Sequence, residues 1–259
     1  MATATPLTVR PGTRLALNKV PAVTTAFWVV KILATTVGET AADFLSSHLG
    51  LGLSGTSVVM GALLLLALGA QLRLPRYVPG VYWLTVVLVS VVGTLVTDNL
   101  TEQVGLSLGA ATVLFAIALA ATFTAWWATE RTLSVHTILT ARREGFYWLT
   151  VLFTFALGTA AGDLLAEGLD VGYWRSALLF AAVIAALTLA HLRLGLPALL
   201  AFWSAYVLTR PLGASLGDYL SQPTDAGGLG LGTVSTSALF LVVIVAVVGY
   251  LTANRKHPS

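Results

Sequence analysis

One stretch decides the fold of this chain, because it occurs four times without gaps. Residues 28–43 read WVVKILATTVGETAAD, and the pattern returns as WLTVVLVSVVGTLVTD at 83–98, WLTVLFTFALGTAAGD at 148–163 and WSAYVLTRPLGASLGD at 203–218. Each copy starts with Trp directly after another aromatic residue, has Gly ten positions later and ends on Asp five positions after that Gly. The chain contains only 7 Trp and 11 acidic residues, so four such coincidences indicate an internal repeat. The repeated positions are Trp28, Trp83, Trp148 and Trp203, then Gly38, Gly93, Gly158 and Gly213, then Asp43, Asp98, Asp163 and Asp218.

The composition around these repeats is that of a membrane protein. Of the 259 residues, 57% are hydrophobic and only 10% are charged, and the mean hydropathy is +0.87. A soluble domain is about 25% charged, so the balance excludes an ordinary soluble enzyme, a disordered chain and a nucleic-acid-binding surface. Cysteine is absent, which excludes disulfides, thiol nucleophiles and thiolate metal sites. The sequence therefore predicts a polytopic membrane protein.

Eight apolar stretches have about the 20 residues that a spanning helix needs. They run approximately over 21–45, 53–72, 80–100, 106–128, 145–166, 173–192, 196–220 and 233–253. The breaks between them are short, so helices adjacent in sequence are expected to pack as antiparallel hairpins. Each repeat contains two helices, and this even number keeps all four repeats in one orientation. The predicted fold is an all-α polytopic membrane protein with eight transmembrane helices as four parallel two-helix repeats.

The same breaks divide the chain into segments. The division is a cytoplasmic N-terminal tail at 1–19, repeat 1 at 20–76, repeat 2 at 77–131, a cytoplasmic connector at 132–144, repeat 3 at 145–194, repeat 4 at 195–253 and a cytoplasmic tail at 254–259. The longest connection falls between repeats 2 and 3, which suggests two halves of four helices each, with a fourfold-like ring as the alternative.

The distribution of basic residues predicts the orientation. Most of the 14 Lys and Arg residues fall in the tails and in the second, fourth and sixth breaks, all on the side of the repeat tryptophans. Basic loops stay in the cytoplasm, so both termini are expected there. No signal-peptide core follows Met1. The predicted location is a bacterial plasma (inner) membrane.

The Trp–Gly–Asp unit, with GETAADF at 38–44, resembles a bacterial integral membrane family built of four tandem two-helix repeats. Members of that family are often described as membrane-anchored proteins of unknown function. The resemblance covers about residues 20–252. It implies the fold and the topology, and it brings no catalytic residues with it.

The repeated residues have structural and functional interpretations. The aromatic–Trp pairs are typical of an aromatic belt at the headgroup level, and the glycines of close helix packing, with a hinge as the alternative. Fifteen residues place each Asp about 22 Å beyond its Trp, which is inside a hydrocarbon core about 30 Å thick. The four carboxylates either cap the outer loops by accepting N–H bonds or form a ring that converges on a cation or proton path.

Three charged residues lie deeper in the predicted helices. Glu39 follows Trp28 by eleven positions, or about 16 Å, near the bilayer midplane, where a charge costs roughly 3 kcal/mol or more. Glu39 and Asp43 share a helix face, which predicts a proton-exchange site or a metal site for a divalent cation, whereas a buried ion pair of Glu39 with Arg210 is the alternative. Arg210 precedes Pro211, which is expected to kink its helix. Lys31 is expected to extend toward the nearby boundary.

These residues favour a transporter of a small cation, which is proton-coupled or specific for a hard metal such as Mn²⁺. A hard metal is expected because the candidate ligands are all oxygen atoms. The alternative is a membrane scaffold or regulator that transports nothing. No nucleophile–base pair can be named, so no enzyme and no cofactor is expected, and the expected partners are the lipid bilayer and a small inorganic cation. The four histidines lack metal-ligand spacing and are expected to be solvated or interfacial. The candidate transport residues are Glu39, Asp43, Asp98, Asp163, Asp218 and Arg210.

Overall fold

The structure, a computed structural model, describes residues 18–48 and 51–254. This part of the chain contains eight long helices and no strand, which confirms the predicted fold class, and each helix begins and ends within four residues of its prediction. The tail residues Arg10, Arg14, Arg255 and Lys256 and the side chain of His48 lie outside the described residues. The helices are α1 (Thr25–His48), α2 (Gly52–Arg73), α3 (Pro79–Asp98), α4 (Leu108–Glu130), α5 (Ala141–Asp163), α6 (Tyr173–Leu194), α7 (Ala198–Ser221) and α8 (Thr233–Asn254).

Local signals in the sequence account for several helix ends. Pro79 occupies the first turn of α3, where its missing N–H removes no helical hydrogen bond. The side chains of Ser107 and Thr140 accept backbone N–H bonds and so cap the starts of α4 and α5. Gly195 ends α6 in the left-handed conformation that glycine adopts without strain.

The odd-numbered helices form a closed ring. Helix α1 packs on α3, α3 on α5, α5 on α7, and α7 returns to α1. The contact between α3 and α5 makes this one ring of four units, so the suggested division into two halves is wrong. The four helices run parallel, with the repeat tryptophans at one end, the Trp end, and the repeat aspartates at the other, the Asp end.

The even-numbered helices lie outside the ring, and each packs against the odd helix of the next unit. Helix α2 packs on α3, α4 on α5, α6 on α7, and α8 closes the circle on α1. The predicted antiparallel hairpins therefore form across the connections between units. The two helices of a single unit make few contacts with each other, because the next odd helix already covers the apolar face of each even helix. Every unit is thus held by its neighbour.

The two sets of helices differ in burial as their positions require. More than half of the most apolar 18-residue segment is buried in α3 and in α5. In α6 the buried share of this segment is 6%, and in α2 and α8 it is 11%. The outer helices expose Leu and Val side chains such as Leu65, Leu66 and Val242. Exposed aliphatic surface of this extent matches lipid tails, which need no hydrogen bonds from the protein.

Six of the described helices are long and apolar enough to cross a membrane, namely all except α1 and α7. Those two are 24 residues long, which is sufficient length, but α1 contains Lys31, Glu39 and Asp43 and α7 contains Arg210 and Asp218. Because the ring and the outer helices surround these charges, α1 and α7 need not match lipid as the outer helices do. The chain is a multi-pass membrane protein.

Candidate functional site

The Trp end of the ring is closed by a continuous layer of aromatic side chains. The aromatic residue that precedes each Trp contacts the Trp of the neighbouring unit, in the same sense around the ring. The centroid distances are 5.7 Å for Phe27–Trp83, 5.4 Å for Tyr82–Trp148, 6.4 Å for Tyr147–Trp203 and 5.7 Å for Phe202–Trp28. The hydroxyl groups of Tyr82 and Tyr147 share a hydrogen bond inside this layer.

The tryptophans are therefore interface residues inside the bundle. Trp83, Trp148 and Trp203 are buried, and only Trp28 is half-buried. The indole N–H of Trp83 donates to the Tyr77 hydroxyl, and that of Trp203 donates to the Leu133 carbonyl, as a buried indole requires. Rings of an aromatic belt face the lipid, whereas three of these four tryptophans are buried between helices, so the prediction of an aromatic belt at these positions is wrong.

The repeat glycines lie where the odd helices approach most closely. A Cβ atom added at any of them would overlap with the residue seven positions after the Trp of the next unit. The pairs are Gly38 with Ser90, Gly93 with Phe155, Gly158 with Arg210 and Gly213 with Thr35. Small residues at such points let helix backbones pack closely in membranes. The contacts repeat in the same cyclic order as those of the aromatic layer.

The guanidinium group of Arg210 occupies the centre of the ring. Its Nη2 donates to Glu39 Oε2 at 2.6 Å, to Thr159 Oγ1 at 2.7 Å and to Thr94 Oγ1, and its Nη1 donates to the Thr35 carbonyl at 3.2 Å. Arg210 is completely buried and Glu39 is 5% exposed. One side chain from unit four thus binds all three other units, and the buried Glu39–Arg210 ion pair is present.

The three side-chain acceptors around Arg210 come from one position of the repeat. Glu39, Thr94 and Thr159 each follow their Trp by eleven positions, whereas unit four has Ala214 there. Ala214 has no polar group, and the Arg210 side chain, one helical turn earlier on the same helix, extends to this level instead. Helix α7 continues through Pro211 to Ser221.

Lys31 is a second buried cation, between α1 and α7. Its Nζ donates to the Tyr206 carbonyl at 2.9 Å and to the Thr209 hydroxyl, and it lies 4.0 Å from the centroid of the Tyr206 ring. Only 1% of the residue is exposed, so the prediction that Lys31 extends to the boundary is wrong. Lys31 lies on the face of α1 that packs on α7. Its ammonium group therefore finds acceptors on α7 and does not need to reach the boundary.

Three carboxyl groups from three different units converge beside Arg210. Oxygen atoms of Glu39, Asp163 and Asp218 all lie within 4.8 Å of one another. Asp43, which the sequence pairs with Glu39, is not part of this group, and neither is Asp98. Side chains on different helices of a ring meet at its common axis, a proximity that spacing along a single helix does not reveal.

The repeat aspartates do not act as caps in the described part of the chain. There, no hydrogen bond or ion pair reaches the carboxyl group of Asp43, Asp98, Asp163 or Asp218, although Asp218 is only 7% exposed. An unpaired carboxylate in an apolar interior is strongly unfavourable, and Asp218, the most buried of the four, lacks among the described residues the partners that would offset its burial. The site has more oxygen ligands than the two buried cations use.

The Trp end contains a further buried ion pair that no sequence pattern indicates. Lys19 Nζ lies 2.6 Å from Glu144 Oε2, and Gln71 Nε2 donates to the other carboxylate oxygen at 2.9 Å. Lys19 also donates to the Leu72 carbonyl at 3.0 Å. Lys19 and Glu144 are 125 residues apart and stand in segments expected to be solvated tails or connectors. This pair ties the segment before α1 to α2 and α5 beneath the aromatic layer.

Comparison with known proteins identifies the repeat and nothing beyond it. The model of a family described as "Repeat of Unknown Function (DUF347)" matches residues 26–77, 81–132, 146–195 and 201–257. Each matched segment contains one Trp, one Gly and one Asp of the repeated pattern. No curated protein and no solved structure matches the chain.

Proposed function

The chain belongs to the family of the Repeat of Unknown Function (DUF347), whose activity has to be inferred from the site, and we propose that it transports a small cation across the membrane. The observation that carries the proposal is the convergence of Glu39, Asp163 and Asp218 inside the ring. Intramembrane carboxyl groups are rare and expensive, and they commonly mark ion or proton pathways.

The chemistry of the ligands selects the class of cation. The cluster offers carboxylate oxygens, with hydroxyl groups of Thr94 and Thr159 close to Arg210 on the same axis. The chain has no Cys and only 2 Met, so it lacks the soft ligands that Cu(I) prefers. Oxygen-only sites suit Mn²⁺, Mg²⁺ and Ca²⁺, and a proton is the other cation that carboxyl groups exchange.

Arg210 gives the site a resident positive charge. When no cation is bound, its guanidinium neutralises Glu39. A divalent cation at the cluster would compete with Arg210 for Glu39, and repulsion between the two cations favours movement of the side chain. Arg210 thus acts as a tethered counter-ion that alternates with the transported ion, and Asp163 and Asp218 supply ligands that Arg210 does not use.

The two ends of the ring suggest how the ion travels. Asp43, Asp98 and Asp163 are partly exposed at the Asp end, whereas the aromatic layer and the Lys19–Glu144 pair close the Trp end. An ion therefore reaches the cluster from the Asp end, and transport requires the Trp end to open. The excess of basic residues near the Trp end favours a cytoplasmic position for it, in the inner membrane of a bacterium.

The test is cation flux into liposomes that contain the purified protein, with Mn²⁺ first and a proton gradient imposed. Asp163→Asn and Asp218→Asn should abolish flux with the fold intact, because each removes a ligand charge and keeps the side-chain shape. Asp225→Asn, which alters an exposed carboxylate in the connection between α7 and α8, is the matched control and should transport normally. Normal flux in both cluster variants, or no flux of any cation in the wild type, would contradict the proposal.

A non-transporting scaffold is the second candidate, and the position of Arg210 favours it. A single side chain that hydrogen-bonds to all three other units is an effective structural tie. On this alternative the cluster variants change thermal stability, and no cation moves in any protein of the series.

A further inference from the structure

A cavity of about 730 Å³ lies on the outside of the ring at the Trp end, apart from the carboxyl cluster. Its walls come from α1, α6 and α7, and the segment that follows α4 covers one end. Pockets for small organic ligands have volumes of about 300–1,000 Å³. No acidic residue lines this cavity, so it does not offer the chemistry of the cation site.

Three basic side chains line the cavity. Arg131 and His136 belong to the segment that follows α4, together with Ser134, and His191 belongs to the last turn of α6. The neighbouring Arg142 and Arg143 pair with Glu130, but no carboxylate of the described residues pairs with Arg131. The guanidinium of Arg131 instead lies 5.0 Å from the centroid of the Trp127 ring, which also lines the cavity. A held but unpaired guanidinium is a good donor group for a phosphate.

Hydrogen bonds hold the backbone of Arg131 and the ring of His191 in place at the cavity. Arg131 ends α4 in the left-handed conformation, with φ of 55°, and its N–H donates to the Trp127 carbonyl. His191 Nδ1 lies 2.7 Å from the Leu196 carbonyl, so that nitrogen carries a proton and donates to it, and Nε2 remains for a ligand. The cavity therefore offers a cationic donor and a second nitrogen with which a hydroxyl group can hydrogen-bond.

The rest of the cavity is mostly apolar and lies beside the exposed helix α6. Its apolar lining includes Ile32, Ile184, Phe202 and Ala205. Helix α6 forms one wall, and only 6% of its most apolar 18-residue segment is buried. A ligand for this site needs an anionic group at one end and a long apolar part at the other. Both are properties of a phospholipid in the leaflet at the Trp end.

We propose that this cavity binds an anionic phospholipid, with the phosphate at Arg131 and an acyl chain along the wall of α6 and α7. Basic pockets between membrane helices bind such headgroups, and a headgroup with hydroxyls, as in phosphatidylglycerol, also satisfies the free nitrogen of His191. The inference is independent of cation transport, because none of its residues belongs to the carboxyl cluster.

The test is native mass spectrometry of the full chain, titrated with phosphatidylglycerol and with phosphatidylcholine of the same acyl chains. The wild type should retain phosphatidylglycerol more tightly, and Arg131→Gln should weaken its binding about fivefold, the effect of one basic residue at an anionic lipid. Arg175→Gln is the matched control, because Arg175 lies 5.3 Å from the Trp174 ring at the Asp end and does not line the cavity.

A second variant tests the apolar part of the cavity. Ala205→Leu narrows the cavity from α7 and should weaken both lipids equally, whereas Arg131→Gln should weaken phosphatidylglycerol more than phosphatidylcholine, whose choline cation already offsets the phosphate charge. Equal binding of the two lipids by the wild type would overturn the proposal. Equal losses in the Arg131 and Arg175 variants, or unchanged binding in Ala205→Leu, would overturn it as well.

Discussion

Arg210 and Glu39 are 171 residues apart in the chain and lie 2.6 Å from each other at the centre of the ring. They belong to the last and the first unit, so their ion pair exists only because the ring closes. The same guanidinium also hydrogen-bonds to units two and three. The pair therefore helps to close the ring and also lies at the site that we propose for cation transport.

Removal of one partner of this pair should destabilise the protein strongly. Glu39→Ala leaves the Arg210 charge buried without a carboxylate, and such a change costs about 3–5 kcal/mol. Denaturant unfolding in detergent measures it, with Glu102→Ala, an exposed carboxylate at the Asp end, as the control. Arg210→Met combined with Glu39→Gln should recover part of the loss, and equal stability of Glu39→Ala and Glu102→Ala would contradict the buried pair.

Close packing at the repeat glycines predicts a contrast between two glycine substitutions. A Cβ at position 93 would lie 2.6 Å from Phe155 Cβ, so Gly93→Ala should destabilise the protein by about 1–3 kcal/mol. Gly61→Ala in the outer helix α2 meets no atom within 4 Å and should be neutral or slightly stabilising. Thermal unfolding of both variants distinguishes them, and a stable Gly93→Ala protein would show that the helices are less tightly packed.

The carboxyl cluster predicts an order among the aspartates in cation binding. Asp163→Asn and Asp218→Asn should lower Mn²⁺ affinity more than about tenfold, and Asp43→Asn should lower it less, because only the first two join Glu39. Isothermal titration calorimetry in detergent measures the three affinities. A larger loss for Asp43→Asn would favour the pair that helical spacing suggests over the cluster of three units.

The buried pair at the Trp end predicts a difference between two glutamates of one region. Glu144→Ala leaves Lys19 and Gln71 without their shared carboxylate and should cost about 3–5 kcal/mol. Glu130→Ala removes the acceptor of Arg142 and Arg143, whose side chains are 74% and 25% exposed and so reach water, and should cost less, about 1 kcal/mol. Unfolding of the two variants under one condition provides the comparison. Equal losses would mean that Lys19 is solvated.

The repeated pattern determined which segments form helices and how deep each residue lies, because both follow from position along a helix. It predicted eight helices, four units in one orientation and the shared depth of the repeat tryptophans, glycines and aspartates. The positions of Glu39 and Arg210 inside membrane-spanning helices were predicted for the same reason. The depth of Lys31 was also predictable, but the direction of its side chain was not.

Only the tertiary structure decided which helix lies beside which, and hence which residues of equal depth meet. The partner of a side chain can be identified only when the neighbouring helix is known. The outer helices pack on the odd helix of the next unit rather than on that of their own unit. The ring therefore replaced the Glu39–Asp43 pair with a cluster of Glu39, Asp163 and Asp218, and it joined Lys19 to Glu144. Contacts between helices far apart in sequence depend on burial and close packing over the whole bundle, and no local pattern records them.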